Sequence, residues 1–322
     1  MAIMDDKLPV QKAYRLQKQH TEHAWLIDSV WATAAVGIIG GAPKCGKSWL
    51  GLGLDMAVSV ASGSACLDRF QVRDKGPALV FLAEDALCTV RSRIDALCDH
   101  RNIDIGTLDL SVITAPALRL DLAADQNRLR GTLADLQPRL LVLDPLVRLH
   151  RLDENSASDI SKLLGFVREL QRTYDCAIVL VHHASKKHRA QPGQALRGSS
   201  DLHAFGDCNA YLARRKNRFT LTFEHRAAKP PDPIEVQLIS RADGSQTHLK
   251  VVSAPITNTI QPLNHRVLAV LNHCRQPMTR TSIRDQLKVN NQRLGDAIAQ
   301  LQRQGKIMHL KTGWISNDPC SS

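Results

Sequence analysis

The run Gly41-Ala42-Pro43-Lys44-Cys45-Gly46-Lys47-Ser48 has the residue types and spacing to wrap a polyphosphate. Two glycines let consecutive backbone N–H groups curve around phosphate oxygens, and a helix starting just beyond adds partial positive charge. Lys47 is placed to reach the β and γ phosphates, and the Ser48 hydroxyl to bind magnesium. Trp49 follows and is counted with this nucleotide-binding set. The pattern G-x-x-x-x-G-K-[ST] carries this meaning only between a strand and a helix. Here "AAVGIIGG" precedes it and "SWLGLGLDMAVSVASG" follows, so the context is met. The bland alternative is a glycine-rich turn that binds nothing. Cys45 reads either as a redox-sensitive thiol between two lysines or as a variable loop position.

A phosphate site that hydrolyses needs carboxylates. The segment "RLLVLDPL" runs four apolar residues into Asp144, a strand-end carboxylate suited to orient magnesium; its plainer role is to cap the next element. The next residue is Pro145, which has no acid to activate water, so the base must come from elsewhere. "LVFLAED" ends in Glu84 and Asp85 at the C-terminal edge of another strand, where α/β sheets bind ligands. Set beside the phosphate-loop strand, it would hold Glu84 over the γ-phosphate to polarise a water. Glu84 is preferred to Asp85. Otherwise the two are a solvated acidic pair at a helix start, where the dipole favours them.

The elements that must position these residues are legible as short apolar strands alternating with helices. "ALVFLAED", "LSVITA", "RLLVLD" and "CAIVLVHH" alternate with "ALCTVRSRIDALCDH", "AADQNRLRGTLADLQ" and "SDISKLLGFVRELQRTY". Such alternation predicts an α/β domain with a mainly parallel sheet covered by helices on both faces. After residue 200 the pattern becomes "NAYLAR", "FTLTFEHR" and "IEVQLIS", read as antiparallel hairpins extending the sheet. The expected organisation is a polar, partly helical segment over 1–30, an ATPase domain over 31–250, a linker over 251–262, and a small unit over 263–317.

Composition narrows the class. At 322 residues, with 43% hydrophobic and 23% charged residues, the chain has ample material for a core. The net charge of +11 points to an anionic partner without naming it. No stretch is long and apolar enough to span a membrane, no signal-peptide layout opens the chain, and the eight cysteines form no C-x-x-C pair. A reduced, cytoplasmic protein with no membrane partner is expected.

A phosphate loop, a glutamate ending the next strand, and a strand-end aspartate without an adjacent glutamate form the RecA-like pattern and not the AAA+ pattern. Within that group, "GAPKCGKSWLGLGLDMA", "LVFLAEDA", "LLVLDPLVRLH", "VLVHHASK" and "RGSSDL" resemble the RepA-type replicative helicases of plasmids and their AAA-25 ATPase relatives, over roughly residues 25 to 240. The resemblance implies a RecA-like P-loop fold, ATP and Mg2+ bound between subunits of a hexameric homo-oligomer, and single-stranded DNA passing through the ring. It makes Glu84 the catalytic base. It also makes His183, at the end of "VLVHH", the γ-phosphate sensor, although a strand-end His pair also satisfies itself by local hydrogen bonds. "SKKHRAQPGQ" resembles the DNA-facing loop, with Lys186, Lys187 and Arg189 as contacts; a plain solvated basic loop is the other reading. One departure stands out. The relatives carry a trans-acting arginine just beyond "RGSS", where this chain has "GDCN" with Asp207. "FEHRAAKPPDPIEVQL" instead resembles a Lys-x-Arg element inserted into a neighbour's site, which makes Arg226 the arginine finger and puts Glu224 at the lysine position. A surface arginine is the alternative, and Arg214, Arg215 and Arg218 are not separated from Arg226 by sequence.

The C-terminal unit reads as three helices and a short hairpin and resembles a winged helix-turn-helix. Leu294, Ala297, Ile298 and Leu301 make one apolar face of the third helix. Asn291, Gln292 and Arg293 on that helix and Lys311 in the hairpin turn are the candidate DNA contacts. From Gln261 onward nine Lys or Arg stand against three Asp or Glu, a net +6 that suits duplex DNA, although such units also bind proteins.

Overall fold

The structure, a computed structural model, describes residues 10–15, 25–41, 51–154, 156–183, 200–215, 218–239, 248–252, 263–274, 276–287, 289, 291–310 and 312–317. The chain divides into two compact units, Met1–Ile256 and Thr257–Ser322.

In the first unit a hairpin of β1 (Trp25–Ile27) and β2 (Trp31–Ala32) leads into β3 (Val36–Gly41) and α1 (Leu52–Ser62). Then come β4 (Ala78–Leu82), α2 (Leu87–Arg101), β5 (Leu110–Val112), α3 (Ala123–Leu136), β6 (Leu140–Asp144), α4 (Ala157–Tyr174) and β7 (Ala177–His183). A short α5 (Ser200–Phe205) precedes β8 (Cys208–Arg215), β9 (Arg218–His225), β10 (Ile234–Ile239) and β11 (His248–Val251).

Among the described residues nine strands form one sheet in the order β11-β10-β9-β8-β3-β7-β6-β4-β5. The pairs from β8 to β5 are parallel, and β8, β9, β10 and β11 pair antiparallel. Continuous apolar runs are what a strand covered on both faces requires. Ile178 and Leu180 of β7 face one layer, where α3 and α4 contribute Leu129, Leu133, Ile160, Leu163 and Val167. Val179 and Val181 face the other, where α1 and α2 contribute Leu52, Met56, Val60, Val90 and Ile94. The apolar positions of α4 recur at helical spacing through Ile160, Leu163, Leu164, Val167 and Leu170, which makes the stripe that seats it.

Three expectations are corrected. The segment over 1–30 was expected to be polar and partly helical. The strand Trp25–Ile27 lies near its end, and Leu26, Ile27 and Val30 are buried in the main core; a 3-10 turn covers Ala13–Arg15. The linker expected from residue 251 begins with a strand residue, because Val251 closes β11 on β10. Most consequential, β4 does not lie beside β3. β7 and β6 stand between them, so Glu84 comes from the strand next to Asp144 rather than next to the phosphate loop.

The second unit holds α6 (Leu263–Cys274), α7 (Arg280–Leu287), α8 (Asn291–Arg303) and a hairpin of β12 (Ile307–Leu310) and β13 (Gly313–Ser316). Val267, Leu271, Ile283, Leu294, Ile298, Leu301 and Ile307 share one small core. Thr279 opens α7 by accepting from the Ser282 backbone N–H at 3.1 Å.

Candidate functional site

β3 ends in Gly40 and Gly41, both buried, in register with His182 and His183 of β7. Ala42, Pro43, Lys44, Cys45, Gly46, Lys47, Ser48 and Trp49 lie outside the described residues. On the far side of that segment, α1 packs flush against the sheet. A Cβ on Gly53 would come within 2.8 Å of Val142 Cγ1, so only glycine allows this approach of α1 to β6. The N-terminal end of α1 thereby stands over the same sheet edge as Asp144, the arrangement that favours an anion.

Asp144 ends β6 and is only 6% exposed. The Ala83 N–H donates to its carbonyl at 2.8 Å, which ties the turn after β4 to the tip of β6. That turn carries the acidic pair, and the two acids part. Asp85 Oδ2 accepts from Arg93 Nη1 of α2 at 2.7 Å, with both side chains about one-fifth exposed. Glu84 Oε1 accepts from Arg148 Nε at 2.6 Å on a more open rim. Asp85 anchors the following helix, while Glu84 stands at the edge where Asp144 ends.

Arg148 belongs to a 3-10 turn, Leu146–Arg148, that leaves β6 directly. The loop behind it is stitched to the chain before α3. Leu120 N–H donates to Leu149 O at 2.7 Å, and Arg119 Nη1 donates to the carbonyls of Arg148 and His150, each at 3.1 Å. His150 is buried, and its Nδ1 accepts from Leu152 N–H at 3.2 Å. Burial holds its imidazole below the usual histidine range, against an opposing pull from Glu154 and Asp121. His182 is buried too, with Nδ1 at 3.8 Å from Glu154 Oε1. His183 is placed at the end of β7; its side chain lies outside the described residues. Among those residues no cluster of three or more His, Cys, Asp or Glu is arranged as a metal cage. A donor set of one strand-end carboxylate and a loop hydroxyl is what magnesium shared with phosphates takes.

Arg226 stands elsewhere. β9 runs antiparallel to β8, and β8 runs parallel to β3, so the end of β9 returns to the edge where β3 begins. There the Arg226 N–H donates to Asp207 O at 2.9 Å, and the Asp207 N–H to Val36 O at 2.7 Å. Arg226 is therefore at the sheet edge opposite Gly41. Arg214, Arg215 and Arg218 lie at the other end of the same hairpin, where Arg214 covers the Phe219 ring at 5.5 Å. Glu224, at the lysine position of the resembled element, has its Oε2 2.8 Å from His203 Nε2 of α5.

Of the candidate DNA contacts, Lys186, Lys187, Arg189 and Lys311 lie outside the described residues. Asn291 opens α8 and its carbonyl accepts from Arg280 Nη2 at 2.6 Å. Gln292 and Arg293 follow in the same helix, with side chains outside the described residues. Sequence reasoning missed Arg148, Arg119, His150 and Glu154, which sit in turns without periodic signal. The one clue was a basic residue four positions past Asp144.

Among the described residues no helix is long and apolar enough to cross a membrane. The family model described as an AAA domain, AAA_25, matches residues 5–189, more than half of the chain. Among solved structures the chain is similar to the ATPase domain of G40P at 12% identity and a TM-score of 0.51, covering 69% of this chain and 87% of that one. It is also similar to a DnaB-like replicative helicase described with its interactions with primase, at 13% identity and a TM-score of 0.50, covering 69% of this chain and 58% of that one. The RadB recombinase matches at 13% identity and a TM-score of 0.47, over 69% of this chain and 92% of that one. At these identities the likeness to the G40P domain and to the DnaB-like helicase speaks to the fold alone, the RecA-like one with a mainly parallel sheet. The chain belongs to the AAA_25 family of RecA-like ATPases.

Proposed function

We propose that this chain is a DNA-dependent ATPase that works as a ring, of the plasmid- or phage-type replicative helicase kind. The observation that carries the reading is the strand order β3-β7-β6-β4. It sets the ends of β3, β7, β6 and β4, with Gly41, the His183 backbone and Asp144, along one sheet edge, Glu84 following β4 there, and leaves Arg226 at the opposite edge, which supports a phosphate site on the first edge. A group on the far edge cannot serve its own site. Head-to-tail contacts between copies, which close into rings, would bring the far edge of one copy to the phosphate edge of the next.

In this reading Lys47 and the loop N–H groups hold the β and γ phosphates. Ser48 and Asp144 hold magnesium, which supplies charge neutralisation across the phosphate oxygens. Glu84 accepts a proton from a water aligned for in-line attack, and His183 reports the γ-phosphate to the segment after β7. Arg226 of an adjacent copy stabilises charge on the transferring group. Lys186, Lys187 and Arg189 contact single-stranded DNA backbone. The C-terminal unit acts as a winged helix on duplex DNA through Asn291, Gln292, Arg293 and Lys311, supported by its net +6 and its three-helix-plus-hairpin order.

The second reading is an ATP switch that loads or regulates without unwinding. Asp207 and Glu224 favour it, because acids stand where the resembled helicases carry basic residues. Steady-state hydrolysis with and without single-stranded DNA, in wild type, Glu84→Ala and Lys47→Ala, tests the shared core. DNA-stimulated turnover lost in both variants supports it, and intact turnover in Glu84→Ala removes Glu84 as the base. Strand displacement on a tailed duplex then separates motor from switch.

A further inference from the structure

The far-edge arginine is held by a built cluster. Arg226 Nη1 lies 3.0 Å from Asp207 Oδ1, and Nη2 donates to the carbonyls of Ala204 at 2.6 Å and Phe205 at 3.2 Å. Asp207 is itself fixed from two further directions. Arg168 of α4 forks onto it, Nη1 to Oδ2 at 2.5 Å and Nη2 to Oδ1 at 3.2 Å. The Val36 N–H at the start of β3 donates to Oδ2 at 3.2 Å. Arg168 also donates to Phe205 O at 2.9 Å and lies over the Phe205 ring at 4.9 Å.

Two arginines thus share one carboxylate, and they differ in exposure. Arg168 is 21% exposed and Arg226 is 54% exposed. Arg168 neutralises Asp207 from the inside, and Arg226 uses the same acid from the outside. A guanidinium has five N–H donors in a planar fork. Nη2 donates to the two carbonyls and Nη1 lies against the acid, while the guanidinium, on a side chain 54% exposed, keeps N–H donors for an outside acceptor. A phosphate oxygen accepts a charge-assisted hydrogen bond from such a guanidinium N–H when its plane is already set.

We propose that Asp207 is the positioning residue of the trans-acting arginine: its carboxylate, with the carbonyls of Ala204 and Phe205, fixes the Arg226 guanidinium in a plane that presents its remaining donors to a neighbouring subunit's phosphate. This rests on the reading of Arg226 as the group that acts in trans. A long side chain free to rotate must lose that freedom as charge develops, whereas one already held loses little. The cluster also accounts for the departure seen in the sequence. The acid stands where the resembled helicases carry their arginine, and it serves the arginine that this chain carries on β9 instead. Ala204 and Phe205 end α5, which begins at the last serine of "RGSS", so the same contacts tie α5 to the arginine.

The test is steady-state ATP turnover of the full chain, with single-stranded DNA, for wild type, Asp207→Asn, Arg226→Ala, the double variant and Arg226→Lys. Binding of a fluorescent ATP analogue and thermal unfolding are followed in parallel. Arg226→Ala is expected to lower kcat at least about a hundredfold. Asp207→Asn is expected to lower kcat about tenfold, with nucleotide affinity within about twofold. The double variant should match Arg226→Ala within about twofold, since Asp207 acts through Arg226. Additive losses overturn the proposal, because Asp207 would then act through the fold. Wild-type turnover in Asp207→Asn beside a dead Arg226→Ala also overturns it. Should Arg226→Ala itself turn over normally, it is the trans reading of Arg226 that fails. If Asp207→Asn does not fold, Arg226→Lys decides: an ammonium has no planar donor set to meet the acid, the two carbonyls and a phosphate at once, so kcat should fall to within about threefold of Arg226→Ala, and near-wild-type turnover overturns the positioning role.

Discussion

Glu84 Oε1 lies 2.6 Å from Arg148 Nε, so the acid at the end of β4 is engaged by an arginine from the turn that follows Asp144. Both side chains face solvent, 39% and 62% exposed, and an ion pair that open is worth about 0.2–1 kcal/mol. If Glu84 takes a proton from water, its carboxylate has to turn from the guanidinium to do so. Arg148→Ala should therefore raise DNA-free turnover, by no more than about fivefold given the strength of such a pair. A drop in turnover beyond tenfold would show instead that the arginine is needed in the reacting arrangement.

Among the described residues, the most buried arginine–carboxylate pair lies between the helices that flank β4. Asp55 Oδ2 of α1 and Arg101 Nη2 of α2 meet at 2.6 Å with side chains 2% and 6% exposed, and Asp55 Oδ1 also accepts from Leu67 N–H at 3.0 Å. Removing one partner leaves an uncompensated buried charge, which costs about 3–5 kcal/mol. Arg101→Ala should lower unfolding stability by that order in denaturant titration. Arg73→Ala, which breaks an exposed pair with Asp28, should change it by less than about 1 kcal/mol. Equal effects would contradict the burial argument.

His150 makes stability depend on pH with a definite sign. Burial lowers its folded-state pKa below the unfolded value near 6.5, so below that pH the unfolded chain binds more protons and stability falls as pH falls. His150→Asn keeps an acceptor near Nδ1 for the Leu152 N–H and removes the titration. Its urea midpoint should match wild type near pH 7.5 and decline less steeply from pH 6.5 to 5. Parallel slopes for the two proteins would assign the acid loss to other groups.

What the sequence made legible follows the physics of each element. β3, β4, β6 and β7 announce themselves because a strand buried on both faces must be apolar throughout, and "VGIIGG", "ALVFL", "LLVLD" and "AIVLVHH" are. β1, β2 and β11 have three, two and four residues, too few to show any period. Which strands are neighbours is set by crossovers rather than by local pattern, and so Glu84 was expected beside β3 and stands beside Asp144 instead. The Asp207–Arg226 cluster was out of reach for a related reason. Its members come from α4, α5 and the ends of β8 and β9, and only the antiparallel return of β9 brings them together.

The hairpin of the C-terminal unit depends on Gly313. Its φ is +147°, and a Cβ there would come within 2.5 Å of Met278 O, which is backbone and has no room to yield. The same stretch carries two hydrogen bonds that clip the hairpin to the segment before α7, Trp314 N–H to Met278 O at 2.8 Å and Met278 N–H to Trp314 O at 2.9 Å. Gly313→Ala should cost this unit about 1–3 kcal/mol in backbone strain and loosen Trp314. Gly305 is the control: its φ is +69°, nothing lies within 4 Å of the added Cβ, and Asn tolerates that conformation. Near-ultraviolet dichroism and thermal unfolding of the two variants decide the matter. A structured Trp314 signal lost in Gly313→Ala and kept in Gly305→Asn, with ATP turnover within about twofold of wild type in both, is the outcome expected for a unit with its own core. Loss of turnover in Gly313→Ala would mean that the ATPase depends on this hairpin.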